Sequence, residues 1–63
     1  MKALVVYTYT DYSENLKIGV SNDWGYFFGD NPTQNEIRDF ETEHHTYPYR
    51  CNPTVVNIIK VEQ

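Results

Sequence analysis

Cysteine is almost missing from this chain: Cys51 stands alone among 63 residues, so no disulfide can close within it and no cysteine-rich metal site can form. Glycine is scarce as well. Gly19, Gly25 and Gly29 all fall in or beside predicted strands, which leaves no loop to cradle a phosphate and no dinucleotide fingerprint. Basic residues number five against nine acids, the wrong balance for tracking a phosphate backbone or an anionic membrane. No apolar run approaches the ~20 residues of a membrane-spanning helix. The apolar part of the opening stretch Met1 to Tyr7 is too short for a signal peptide. Asn31 and Asn52 begin Asn-x-Thr triplets with proline in the middle, so neither accepts a glycan. A lone cysteine without an export signal predicts a reducing, cytoplasmic setting.

What is present suits a small binding protein. A chain of 63 residues is one domain, residues 1–63, and buries only about 60% of its unfolded surface. Domains of this size need a staple; with a disulfide excluded and metal ligands poorly spaced, self-association is the expected one. The net charge is −4, and its location matters more than its size. From Asp30 to Glu43 the acids Asp30, Glu36, Asp39, Glu41 and Glu43 face one base, Arg38, while charges elsewhere balance. A basic protein surface is the matching partner.

The stretch Val55 to Val61 organises the fold. Alternate residues of a strand point to opposite faces, and here both faces are largely apolar. Lys2 to Thr10 alternates in the same way, with β-branched and aromatic residues throughout. Leu16 to Val20 and Trp24 to Phe28 read as two further strands separated by a Ser21-Asn22-Asp23 turn. A helix start follows: Thr33 as N-cap, Glu36 three residues on as in a capping box, Pro32 and Ile37 at the staple positions. Ile37, Phe40, His44 and Tyr47 share a face, and Pro48 predicts an end near Thr46. The order is βββαβ: an α+β domain with a four-stranded, mostly antiparallel sheet and one helix on one face. Ile37 and Phe40 are expected to dock on Leu16, Ile18, Val20, Trp24 and Phe28, with the last strand beside the first. One helix covers one side, so Leu4, Val6, Phe27, Val56 and Ile58 (or the alternate set) form an uncovered face, expected to make a homodimer.

The chemistry available is thin. Glu41, His44, His45 and Cys51 are the one grouping with zinc-ligating side chains, yet their spacing matches no zinc pattern. Cys51 with a nearby histidine lacks an orienting third group and an oxyanion-stabilising turn. Trp24, Tyr26, Phe27 and Phe28 have the look of a base-stacking platform without its basic groove. No cofactor, metal or catalytic residue is therefore assigned, and the chain is read as non-enzymatic. Glu36, Asp39, Glu41 and Glu43, with the loop tyrosines Tyr47 and Tyr49, are the candidate partner-binding residues, since tyrosine is enriched at interfaces. The expected function is a small inhibitor or adaptor that occludes another protein as a homodimer, the profile of phage and mobile-element accessory proteins that block host defence. The alternatives are a homodimeric binder of a small ligand or nucleotide signal, and a subunit of a larger complex.

Overall fold

A computed structural model describes residues 1–61; Glu62 and Gln63, placed by the sequence after the last strand, lie outside the described residues. The elements are β1 (Lys2–Asp11), a 3-10 turn at Tyr12–Glu14, β2 (Lys17–Tyr26), α1 (Gln34–Glu43) and β3 (Cys51–Lys60). The sheet has three antiparallel strands in the order β2-β1-β3. The α+β class and the place of the last strand beside the first are as expected.

The four-stranded sheet and the order βββαβ are not. The two strands expected at 16–20 and 24–28 are one continuous strand. β1 pairs without interruption from Lys2 opposite Tyr26 to Asp11 opposite Lys17, and Ser21, Asn22 and Asp23 lie inside that ladder. The triplet has turn-forming side chains but none of the positive φ angles of a hairpin turn. A ten-residue β1 is matched by a ten-residue partner, and the reversal falls earlier, where Asn15 and Leu16 have φ of 58° and 57°.

The merger also turns β2 over. Directly opposed residues share a sheet face, so Gly19, Ser21, Asp23 and Gly25 lie on the side of Ala3, Val5, Tyr7 and Tyr9. Rings need those glycines. A Cβ on Gly19 would lie 2.4 Å from Tyr9 Cζ, and one on Gly25 would lie 2.8 Å from Phe27 Cζ and 2.9 Å from Val5 Cγ2. Ile18, Val20, Trp24 and Tyr26 must then face away from α1, and Leu16 and Phe28 lie exposed beyond the strand ends. The layer expected beneath the helix is thus on the opposite side.

The core is small: Ala3, Val5 and Tyr7 are sealed, Phe27 and Phe40 nearly so, with Met1, Tyr9, Val55 and Ile58 packed around them. Val55 and Ile58 both reach it although three residues apart, because a register shift between Val6 and Tyr7 inserts a bulge in β3. A second irregularity, with Asn52 at φ 51°, brings Cys51-Asn52-Pro53 into β3 where a loop was expected.

α1 begins as the sequence indicates, with the reciprocal capping box of Thr33 and Glu36. It ends at Glu43, earlier than expected, because His44 closes it. The His44 backbone N–H donates to the Phe40 carbonyl, and the His44 Nδ1 lies 2.8 Å from the same oxygen. The His44 ring also stacks on Phe40 at 3.9 Å and tilts against Tyr7 at 5.6 Å. Phe40 is the one buried helix residue, and it meets Tyr7 edge-on at 5.8 Å.

Two substitutions test this packing. Phe40→Ala removes the helix anchor and should cost about 3–5 kcal/mol, enough to leave so small a domain largely unfolded in chemical denaturation. Gly25→Ala should cost about 1–3 kcal/mol by overpacking Val5 and Phe27, read as a lowered thermal midpoint with the strand content intact.

Candidate functional site

Three strands under one short helix give the molecule two unlike sides. A ten-residue helix is about 15 Å long, whereas a ten-residue strand runs about 33 Å. The whole is a slab 39 × 19 × 13 Å, with nothing packed on the face opposite α1 among the described residues.

That open face carries Lys2, Leu4, Val6, Thr8 and Thr10 from β1, and Ile18, Val20, Asn22, Trp24 and Tyr26 from β2. Thr54, Asn57 and Ile59 come from β3, by their register with β1. Its most apolar row is Trp24, Leu4 and Ile59, side by side across the three strands. Ile18, Val20 and Tyr26 are 74%, 67% and 74% exposed. Its single charge among the described residues, Lys2, lies over the Trp24 ring at 4.4 Å. Of the residues expected to form an uncovered face, Leu4 and Val6 lie on it and Val56 is exposed in the β3 bulge. Phe27 and Ile58 belong to the helix-side core: Phe27 shares the parity of Gly25, and the bulge separates Ile58 from Val56. Trp24, Tyr26, Ile18, Val20 and Ile59 were missed as members. For the four β2 residues the signal is the parity of that strand, legible only once its two halves are joined; Ile59 follows from its register with Leu4.

The helix side is acidic. A cleft of about 320 Å³ runs between α1 and β2, with Phe27, Phe40 and His44 among its walls and Glu36, Asp39 and Glu43 beside them. At its end the Asp23 carboxylate lies 3.1 Å from His44 Nε2 and accepts the Trp24 backbone N–H at 2.8 Å. Both His44 ring nitrogens therefore face oxygen atoms, the Phe40 carbonyl and the Asp23 carboxylate. The cleft suits a cationic side chain and repels phosphate, which weighs against a nucleotide ligand. Its volume is at the small end for a ligand pocket.

The four acids expected to form one recognition face divide into two pairs. Glu36 accepts from the Thr33 and Phe28 backbone N–H groups, both at 2.9 Å, and so fastens the 27–33 loop to the helix. Glu41 accepts from Val55 N–H at 2.8 Å and ties α1 to β3. Asp39 and Glu43 take no part in such ties and point to the cleft. Tyr47 and Tyr49 are exposed in the loop after the helix, which closes through paired Thr46 and Arg50 backbone bonds. Tyr47 lies 6.2 Å from Tyr12, another residue the sequence did not single out, while Arg50 donates to the Tyr7 hydroxyl.

No three His, Cys, Asp or Glu side chains converge as a metal site among the described residues. Cys51 is 2% exposed, out of reach of a substrate. No helix among the described residues is long and apolar enough to cross a membrane. Comparison with family models, curated proteins and solved structures gives no match.

The Thr33 and Phe28 backbone donors hold the Glu36 carboxyl below its ordinary value near 4.5. Its contribution to stability is complete above that value and is lost as pH falls through the lower folded-state pKa. Glu36→Gln should flatten this acid limb of the stability-pH curve; an unchanged limb would contradict the assignment. Glu41→Ala strands the Val55 donor at a partly covered edge and should cost about 1–3 kcal/mol, with faster hydrogen exchange at Val55.

Proposed function

We propose that this is a non-enzymatic protein-interaction module, a small inhibitor or adaptor that acts by covering part of another protein. One observation carries the reading: the surface is segregated into a bare, almost uncharged sheet face and an acid-lined helix side. Contiguous apolar patches of this kind are uncommon on soluble monomers and mark places where protein meets protein. The opposite side offers Asp39 and Glu43, two carboxylates free of structural duty, beside an aromatic-walled cleft. That pairing fits a lysine- or arginine-bearing surface, with the fields steering encounter. Tyr47 and Tyr49, exposed in the loop after the helix with Tyr47 beside Tyr12 past the end of β1, form a second, separate contact in this reading.

The test is affinity capture with the wild-type protein and with Asp39→Lys/Glu43→Lys. The double reversal should lower recovery of a captured partner by about tenfold or more and remove the salt dependence of its association. Equal recovery of the same partner by both proteins would make the acidic side mere solvent coating.

A further inference from the structure

We propose that the bare sheet face is closed by a second copy of this chain, packed sheet on sheet about a two-fold axis, with neither sheet edge taking part. The inference concerns the side opposite α1 and stands whatever the acidic side binds.

The first argument is area. Ile18, Val20, Trp24, Tyr26, Val56 and Ile59 are each between 45% and 74% exposed. Together they present roughly 700–800 Å² of accessible surface, close to the ~800 Å² that each partner gives to a standard interface. Two such faces stack at the ordinary sheet-to-sheet spacing, with strands nearly aligned.

The second argument is charge. Each chain carries −4, so two copies repel unless they meet where carboxylates are missing. Strand parity puts Asp11 and Asp23 on the helix side, with α1 carrying Glu36, Asp39, Glu41 and Glu43 there too. Among the described residues the open face holds no carboxylate. Its polar members are threonines and the asparagines Asn22 and Asn57, which flank Val6 across the sheet. Hydroxyls and amides both donate and accept, so they can pair with their own copies, as a two-fold interface requires.

The third argument concerns the edges. Met1 and Phe27 exchange both backbone bonds, so along an antiparallel ladder the odd-numbered residues of β2 bond to β1 and the even-numbered ones point outward. On β3 the donors of Asn52, Val55 and Ile58 are taken by His45, Glu41 and Asn57 side chains, and Pro53 has none to offer. On β2 the Trp24 donor is taken by Asp23. Side chains that occupy edge donors oppose strand addition. Pairing through the remaining outward donors, at Ile18, Val20, Asn22 and Tyr26 on β2 and Lys60 on β3, would leave the apolar face as bare as before.

Light scattering on a sizing column, with amide hydrogen exchange on the same samples, tests this. Wild type at micromolar concentration should show twice the 7.5 kDa protomer mass, while the Val20 and Asn22 amides exchange fast. Ile18→Lys/Val20→Lys should return the mass to a single protomer with the circular dichroism kept. Ile59→Lys, on the other outer strand, should do the same and leaves β2 untouched should the double variant misfold. A wild-type protein that stays at protomer mass overturns the proposal. So does a dimer that survives these lysines and protects Val20 and Asn22, the pattern of edge pairing.

Discussion

Everything in this fold follows from a shortage of cover. One helix of ten residues lies across three strands of ten residues each, about 15 Å of lid over about 33 Å of sheet. The lid is held by a small aromatic assembly: Phe40 between His44 and Tyr7, with Tyr7 sealed beneath. Where the helix stops short, other rings fill the helix side, Tyr9 over Gly19 and Phe27 over Gly25. Arg50 stands over Tyr9 at 5.2 Å. Glycines on the inner side of β2 make room for these rings. The same parity sends the bulky residues of β2 outward. A core economical on one side thereby produces an apolar surface on the other.

The carboxylates show a second economy. Glu36, Glu41 and Asp23 each accept a backbone N–H that the sheet or the loop leaves without a partner. The half-covered Val55 donor would be costly without its acceptor, while the Phe28, Thr33 and Trp24 donors are exposed and the carboxylates there order the backbone they bind. Much of the acidity that reads as a recognition surface is therefore consumed in holding the helix, the loop and the β3 edge. Asp39 and Glu43 are the remainder.

How far the sequence discloses this depends on whether the signal is local. The helix start is fully legible, because Thr33 and Glu36 satisfy each other's backbone within one turn. β1 is legible from alternation alone. The turn expected at Ser21-Asn22-Asp23 is not a turn, since those side chains allow one without requiring it and the long ladder with β1 overrides them. The faces of β2 rest on which glycine lies under which ring, a tertiary fact. Likewise, the bulge that brings both Val55 and Ile58 to the core leaves no mark in composition. That some face must remain uncovered is visible in the sequence from strands apolar on both sides. Its membership, with Trp24 and Tyr26 in and Phe27 and Ile58 out, is not.

Trp24 reports directly on the central claim. It is the only tryptophan, lies in the apolar row of the open face, and is 45% exposed in the single chain. Its emission and its quenching by acrylamide, followed over a dilution series, distinguish a covered face from a bare one. A covered face gives blue-shifted, quencher-resistant emission at high concentration that moves to the red on dilution. Red, freely quenched emission at every concentration would contradict it.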